Sequence, residues 1–249
     1  MTDSASEHYK KLLGRIYPWM VGDFDTACKG ATSYFESIGL MSEDSGVAVD
    51  LGCGHGVQSI PLCNLGFHVV AVDSSEELLS ELRAKQHGGT LETVCGDLVD
   101  FVERLQKPVN AFVCMGDTLT HLATVQDVER TVQSCARNLL PGGVLCLSFR
   151  DYTSRALRGV DRFIPVRTDE NRIQMCFIET HAEYVLVHDV LHERVANDWQ
   201  TTVGAYRKLR LSPAEVTALA VSTGVELLAH SEHRGMTFLT FAKPAASSG

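Results

Sequence analysis

The sequence predicts an α/β fold built on a doubly wound, mostly parallel sheet of seven strands, with an antiparallel β insertion. Two patterns lead to this prediction. Short β-branched segments alternate with helical patterns over residues 47–149, which is typical of βαβ units around a parallel sheet. After Arg150 the pattern changes to period-two alternation without intervening helical segments, which indicates antiparallel strands.

The alternating region contains five strand candidates and four helix candidates. The strands are predicted at Val47–Leu51, Phe67–Val72, Thr90–Val94, Val109–Met115 and Gly143–Phe149. The helices are predicted at about Val57–Leu65, Glu76–Lys85, Leu98–Leu105 and Val125–Leu139, and Pro141-Gly142-Gly143 is expected to end the last of them.

The rest of the chain divides into an insertion and a C-terminal completion of the sheet. Insertion strands are predicted at Ile173–Ile178, Tyr184–His188 and Val190–Val195, a helix from Ser212-Pro213 to Val221, and an edge hairpin from Val225–Ala229 and Met236–Ala242. We expect N-terminal lid helices in residues 1–40, the main domain in 41–155 and 211–243, the insertion, also part of the lid, in 156–210, and a disordered tail in 244–249.

Composition narrows the class of protein. The chain has 249 residues, 45% of them hydrophobic, and a formal net charge of −9, which argues against a nucleic-acid or anionic-membrane partner and favours a small-molecule substrate. Its eight cysteines form no CxxC pair, which is typical of a reducing compartment and predicts a cytoplasmic protein. No run of about 18 apolar residues predicts a membrane span.

A glycine-rich loop follows the first predicted strand, with the sequence Asp50-Leu51-Gly52-Cys53-Gly54-His55-Gly56. Glycines permit a sharp turn and a close approach of a ligand, so a nucleotide-derived cofactor is expected. The third glycine comes one residue too early for the G-x-G-x-x-G dinucleotide fingerprint. Two further predicted strands end near Asp73 and Asp97. A carboxylate about 20 residues after such a loop is placed to accept hydrogen bonds from ribose hydroxyls, although each aspartate could equally cap a helix.

The spacing D-x-G-x-G-x-G resembles motif I of the class I S-adenosylmethionine-dependent methyltransferases, which have a Rossmann-like fold. The resemblance implies S-adenosyl-L-methionine as the cofactor, with Asp97 near the adenine amino group. Lys29 is a candidate for the cofactor carboxylate, or simply an exposed helix lysine. The full set of expected cofactor-binding residues is Tyr17, Lys29, Asp50, Gly52, Cys53, Gly54, Gly56, Asp73, Ser74, Asp97, Leu98, Met115 and Gly116.

Three segments resemble the glycine and glycine/sarcosine N-methyltransferases more closely, namely GHGVQSIPLCNLGFHVVAVDSSEELL, CMGDTLTHL and LLPGGVLCLSFRDY. In that family the residue matching Arg150 binds the substrate carboxylate, which implies a small amino-acid-like amine as the acceptor. A salt bridge from Arg150 to Asp151 is the alternative. Asp117 stands in place of the family's asparagine, and Met20 in place of a tyrosine, so the resemblance does not imply glycine itself.

The expected catalytic residues are Arg150 for the acceptor carboxylate and Asp117 or Tyr206 for its proton. His121 is expected to hold a loop, and Phe163, Tyr184 and Trp199 are candidate walls of the site. His188 and His192 are predicted on a strand, about 13 Å apart, so no metal site is expected. Two alternatives stay open: an enzyme that cyclises or cleaves S-adenosylmethionine itself, and a non-catalytic sensor of it. Some relatives are tetrameric, so a homo-oligomer is possible.

Overall fold

The computed structural model describes residues 5–154, 157–196, 198–233 and 235–245, and it confirms the predicted fold class. The strands form a seven-stranded, mostly parallel sheet and a separate four-stranded antiparallel sheet. The expected tail falls largely on residues 246–249, which lie outside the described residues.

The strands of the large sheet are β1 (Val47–Leu51), β2 (His68–Asp73), β3 (Leu91–Cys95), β4 (Val109–Cys114), β5 (Leu139–Arg150), β10 (Glu226–His233) and β11 (Met236–Ala242). The insertion strands are β6 (Phe163–Thr168), β7 (Arg172–Thr180), β8 (Tyr184–Val195) and β9 (Asp198–Leu209). The large sheet has the order β10-β11-β5-β4-β1-β2-β3, and the insertion sheet has the order β6-β7-β8-β9. Strands β1 to β5 pair in parallel, whereas β11 runs antiparallel to β5 and β10. The α-helices are α1 (Ala5–His8), α2 (Gly14–Val21), α3 (Phe24–Ser37), α4 (Ser59–Asn64), α5 (Glu76–Arg83), α6 (Leu98–Arg104), α7 (Val125–Arg137) and α8 (Pro213–Ser222). A π-helical turn, Tyr9–Leu13, joins α1 to α2, and 3₁₀ turns lie at Thr118–His121 and Gly159–Arg162.

Apolar side chains cover both faces of the large sheet, as expected for a doubly wound fold. One core cluster includes Phe112, Phe149 and Phe241 and packs against α7 and α8, and a second includes Phe35 and packs against α3 and α4. This sandwich leaves the carboxyl ends of the parallel strands as the edge where loops converge, which is where open α/β sheets bind ligands. No helix within the described residues is long and apolar enough to cross a membrane.

The N-terminal helices and the insertion sheet pack together above that edge. Leu13 and Ile16 share a core cluster with Val187 on β8. His8 Nε2 lies 2.8 Å from Asp189 Oδ2, and both side chains are buried. The two segments, although distant in sequence, therefore form one layer over the site.

Two local predictions were wrong. The segments Tyr184–His188 and Val190–Val195 form one continuous strand, β8, because its alternation runs unbroken through Asp189. The expected stop at residues 141–143 lies inside β5, since α7 already ends at Arg137 and Gly142 N donates to the carbonyl of Lys243 on the neighbouring chain segment.

Candidate active site

The loop after β1 needs glycine at the two positions that face the open edge. Gly52 and Gly54 have φ values of +71° and +54°. A Cβ on Gly52 would lie 2.3 Å from Thr118 Cγ2, and one on Gly54 would lie 3.0 Å from Tyr17 Cε1. Both the backbone conformation and the lack of space therefore require glycine here.

A cavity of about 300 Å³ lies above this loop. It brings together eight of the predicted cofactor-binding residues: Tyr17, Gly52, Gly54, Asp73, Ser74, Asp97, Leu98 and Gly116. Seven further residues that the sequence did not assign to the cofactor complete its lining: Tyr9, Val72, Leu78, Gly96, Thr118, His121 and Leu122. The strands therefore place Gly52 and Gly116, which are 64 positions apart, around one volume.

Asp73, at the end of β2, ties that strand to the glycine loop. Its Oδ2 accepts a hydrogen bond from Gly54 N at 2.8 Å, and its Oδ1 accepts one from Ser75 N at 2.8 Å. Burial raises the pKa of Asp73 above its usual value, while these backbone donors act in the opposite direction. A carboxylate has about four acceptor positions, so the two bonds leave it able to accept from a ligand's hydroxyls.

Asp97 combines the two roles that the sequence left open. Its Oδ1 accepts from Val99 N at 2.8 Å and from Asp100 N at 3.1 Å, so it is the N-cap of α6. The same residue lines the cavity. The helix cap fixes the side chain at the position where the resemblance expects it to meet the cofactor.

The other five predicted cofactor-binding residues do not line the cavity. Asp50 is buried beneath the loop, where Ser59 Oγ donates to its Oδ2, and burial raises its pKa to about 7. Cys53 and Met115 are buried in the core, and a Cβ on Gly56 would lie 2.3 Å from Leu82, so these positions serve packing. Lys29 is exposed on α3, consistent with the alternative interpretation of it as a surface lysine.

His55 is the loop residue with the most unusual environment. Its side chain is buried, and among the described residues neither ring nitrogen has a hydrogen-bond partner. It contacts the rings of Tyr17 and Phe24 edge-on, with ring centroids 5.5 Å and 5.2 Å away. Burial, followed by the charge of Lys85, lowers its pKa to about 4, so the imidazole is neutral near pH 7.

Asp117 forms a buried ion pair that the sequence analysis missed. Lys208 Nζ on β9 donates to Asp117 Oδ2 at 2.6 Å, and the side chains are only 11% and 6% exposed. Asp117 Oδ1 accepts from Arg150 N at 2.9 Å. Burial alone would raise the pKa of Asp117, but the charge of Lys208 and the hydrogen bond from the Arg150 amide bring it below its usual value. The carboxylate is therefore ionised and already engaged, which makes it a poor proton acceptor.

Aromatic side chains surround His121 beside this ion pair. The rings of Tyr9 and Tyr206 lie 5.5 Å and 5.6 Å from the imidazole. Burial, reinforced by the charge of Lys208, lowers the pKa of His121 to about 3, so its ring is neutral. Burial also raises the pKa of Tyr206 above its usual value, which keeps the phenol protonated. Neither residue is thus a strong base, although the imidazole can accept a hydrogen bond.

Arg150 ends β5 next to Asp117 but does not line the 300 Å³ cavity. Its Nη1 lies 3.4 Å from the position of a Cβ on Gly235, which lies between β10 and β11. Burial raises the pKa values of Tyr152 and Cys176, and the charge of Arg150 acts in the opposite direction on both. The carboxylate of Asp151 accepts from Thr153 N and Oγ1, both at 2.6 Å. The guanidinium therefore lies beside the turn of the edge hairpin and close enough to Cys176 on β7 to act on its pKa.

Two of the three expected aromatic walls lie away from the cavity. Phe163 and Trp199 are 50% and 44% exposed on the outer face of the insertion sheet, whereas Tyr184 lines a wide groove that adjoins the cavity. The residues Tyr9 and Tyr206 supply the wall instead. His188 and His192 lie on one strand, as predicted, and no group of three or more potential metal ligands occurs within the described residues.

A wide groove of about 1510 Å³ adjoins the cavity and shares Asp97, His121 and Leu122 with it. It runs between α6, α7 and the base of the insertion. Seven acidic side chains and three arginines line it: Glu7, Asp97, Asp100, Asp127, Glu129, Glu183 and Glu215, with Arg130, Arg207 and Arg210.

The fold and the loop define a class of protein. Residues 48–143 match the methyltransferase domain family, and the chain has the fold of the class I S-adenosylmethionine-dependent methyltransferases. It is similar to glycine/sarcosine N-methyltransferase from Halorhodospira halochloris, with 29% identity over 163 residues, or 64% of this chain and 60% of that protein. It is also similar to cypemycin N-terminal methyltransferase from Streptomyces sp, with 36% identity over 109 residues, or 43% of each chain.

Solved structures show the same fold over nearly the whole chain. The amino pentose methyltransferase CalS10 from Micromonospora echinaspora, bound to S-adenosylmethionine, has a TM-score of 0.69 at 20% identity and covers 98% of both chains. By contrast, the chain spans only 43% to 60% of the length of the two curated relatives named above.

The residues present fit S-adenosyl-L-methionine as the cofactor. Gly52 and Gly54 leave a cradle that a Cβ at either position would obstruct, and Asp73 and Asp97 offer carboxylate oxygens at its far side. Tyr17 closes the cradle from α2. The aromatic ring and the acidic groups suit a cationic sulfonium compound with ribose hydroxyls.

Proposed function

We propose that this protein transfers a methyl group from S-adenosyl-L-methionine to the amine of a small, carboxylate-bearing molecule. The observation that carries the proposal is the position of Arg150. It ends β5 at the carboxyl edge of the sheet, its amide is bound to Asp117, and Asp117 directly follows the cavity residue Gly116. A guanidinium there is suited to bidentate recognition of a carboxylate.

The protein's main contribution is alignment, since the bound sulfonium supplies an already activated methyl group. Holding an acceptor and a donor in a reactive geometry lowers a barrier by about 7–11 kcal/mol. The layer formed by the N-terminal helices and the insertion lies over this space, where its closure on bound substrates would exclude water. Tyr9, Tyr17 and Tyr206 form its aromatic side.

The acceptor amine must react in its neutral form. A neighbouring positive charge lowers the pKa of an ammonium group, and the sulfonium of the bound cofactor would supply that charge. Lys208 adds little to it, because Asp117 is already paired with Lys208. The neutral ring of His121 is then a hydrogen-bond acceptor for the amine N–H. Asp117 and Tyr206, which the sequence proposed as proton acceptors, are assigned to positioning: Asp117 fixes the Arg150 main chain, and Tyr206 forms a wall.

Steady-state kinetics with a panel of amino acids tests the proposal. Arg150→Gln is expected to raise the acceptor KM about tenfold or more while the dissociation constant of S-adenosylmethionine stays within twofold, because one charge-assisted contact contributes about 1.5–3 kcal/mol. Arg137→Gln is the matched control, since Arg137 is the last residue of α7 and lines neither the cavity nor the adjoining groove. An unchanged acceptor KM in Arg150→Gln, or a loss of cofactor binding, contradicts the assignment.

A larger amine is a second candidate acceptor, favoured by the acidic groove that adjoins the cavity. The shared lining by Asp97, His121 and Leu122 would let an extended cationic molecule reach the cofactor site. Two of the similar proteins are named for methylation of an N-terminus and of an amino pentose. Peptides with a free N-terminus and aminosugars therefore belong in the acceptor panel. Turnover of these, without turnover of free amino acids, identifies the groove as the acceptor site.

A further inference from the structure

His55 lies in the glycine-rich loop, and the hydrogen-bonding capacity of its buried imidazole is unused. The residue is 2% exposed, and neither Nδ1 nor Nε2 has a hydrogen-bond partner among the described residues. Nearly all buried polar side chains in native proteins have such a partner, so an exception beside a ligand cavity calls for an explanation. A bound molecule is the simplest source of the partner.

The order of the strands places His55 beside one end of the cofactor cavity. Along the carboxyl edge of the large sheet, β3, β2, β1 and β4 are consecutive, and they lead to Asp97, Asp73, Gly54 and Gly116. With Asp97 assigned to the adenine and Asp73 to the ribose, the methionine part of the cofactor is expected over β1 and β4. His55 directly follows Gly54, so it belongs to the methionine end of the site.

The methionine part carries a carboxylate, and the described lining of the cavity offers it no strong cation. That lining includes Asp73 and Asp97 but neither lysine nor arginine. Lys208 is close enough to act on the pKa of cavity residues, but it is already paired with Asp117 at 2.6 Å. A carboxylate taken out of water needs charged or N–H partners. These partners must therefore come from behind the lining.

Lys85 brings a positive charge close to His55. Its Nζ lies 4.0 Å from the centroid of the Phe24 ring, and the centroid of the same ring lies 5.2 Å from that of the His55 imidazole. The charge is near enough to contribute to the lowered pKa of His55. Within the described part of the chain, no carboxylate lies within ion-pair distance of Lys85, so its ammonium group is available to an anion.

Tyr17 separates His55 from the cavity. Its ring lines the cavity and meets the imidazole edge-on, with the two centroids 5.5 Å apart. Tyr17 belongs to α2 and to none of the core clusters of the described residues. A shift of this ring would open a path from the cavity to the imidazole without disturbing the large sheet.

We propose that His55 and Lys85 bind the carboxylate of the methionine part of S-adenosyl-L-methionine. The neutral imidazole donates one N–H, and the ammonium group supplies the positive charge that the cavity lining lacks. The pair takes the role for which the sequence offered Lys29, which is exposed on α3. This recognition of the cofactor needs no acceptor, so it holds whether or not a methyl group is transferred.

Isothermal titration calorimetry without an acceptor tests the proposal with two ligands. Decarboxylated S-adenosylmethionine keeps the adenosine, the sulfonium and the amine but lacks the carboxylate. His55→Leu and Lys85→Met are each expected to raise the dissociation constant of S-adenosylmethionine about tenfold or more, because each removes a charge-assisted contact. Neither variant should raise the dissociation constant of the decarboxylated compound by more than about twofold, since that compound never made the contact.

Lys107→Met is the matched control, since Lys107 is exposed in the loop that leads to the amino end of β4, and it should change neither constant. His55→Gln keeps an N–H donor and should retain part of the affinity that His55→Leu loses. Far-UV circular dichroism checks the fold of each variant, and Lys85→Met carries the test if the His55 variants do not fold.

Two results overturn the proposal. Equal losses of affinity for both ligands would show that the substitutions distort the loop rather than remove a carboxylate contact. Unchanged or tighter binding of S-adenosylmethionine by either folded variant would show that the substituted side chain takes no part in holding the carboxylate.

Discussion

Replacing Lys208 by methionine tests how the insertion is held over the site. The Lys208 Nζ and Asp117 Oδ2 atoms are 2.6 Å apart, and both side chains are almost fully buried. Methionine keeps most of the side-chain volume but removes the charge. The carboxylate of Asp117 is then left buried without its counter-ion, which costs about 3–5 kcal/mol of unfolding free energy. For a chain of this size the melting temperature should fall by about 10 °C.

The pH dependence of this loss follows from the pKa of Asp117. In the wild type that pKa lies below its usual value, so the group contributes stability above pH 4 and loses it as pH falls. Without Lys208, burial raises the pKa, and the group then opposes folding as pH rises through the new value. The cost of Lys208→Met should therefore be larger at pH 8 than at pH 5.

Urea denaturation at both pH values measures the effect, with Lys29→Met on the exposed face of α3 as the control. The double variant Asp117→Asn, Lys208→Met should recover much of the loss, because the unpaired charge is gone. A cost below about 1 kcal/mol for Lys208→Met, or a cost independent of pH, would refute a buried ion pair.

Three further predictions concern the loop and the site. Gly54→Ala should raise the dissociation constant of S-adenosylmethionine, measured by calorimetry, at least tenfold, because the added Cβ would contact Tyr17 and alanine disfavours a φ of +54°. Gly30→Ala on α3 is the control and should leave the constant unchanged, since a Cβ there has no atom within 4 Å. The raised pKa of Asp50 makes the wild type lose stability as the pH rises towards 7 and above. The free energy of unfolding of Asp50→Asn minus that of the wild type should therefore be about 2–3 kcal/mol larger at pH 8 than at pH 5. An equal difference at both pH values contradicts this prediction. His121→Asn should lower kcat but leave the shape of the kcat–pH profile between pH 6 and 7 unchanged, because the pKa of His121 is about 3. An inflection in that range that disappears in the variant would identify His121 as a base.

The sequence predicted the main sheet, and eight of the residues that it assigned to the cofactor line one cavity, for a physical reason. Hydrophobic alternation and glycine spacing are local signals, and parallel strands bring their carboxyl ends to one edge without further information. Asp73 and Asp97 could therefore be assigned from their positions at strand ends. Lys29, by contrast, was assigned by resemblance alone, and it is exposed on α3.

The acceptor side could not be predicted in the same way, because long-range packing builds it. Strand β9 was not recognised, since its sequence is polar and contains Gly204. That glycine is explained by His8, whose Cε1 would lie 2.3 Å from a Cβ at this position. The pairing of Lys208 with Asp117 joins residues 91 positions apart and leaves no mark in the local pattern. Asp117 consequently looked like an available base.

Product analysis tests the central claim most directly. The protein is incubated with S-adenosylmethionine and the amine panel, and the products are identified by mass spectrometry. We predict S-adenosylhomocysteine and an acceptor that has gained one methyl group, in equal amounts, with turnover reduced by Arg150→Gln. Methylthioadenosine without a methylated acceptor would show that S-adenosylmethionine is itself the substrate, and cofactor binding without any product would show a sensor; either result contradicts the proposed methyl transfer.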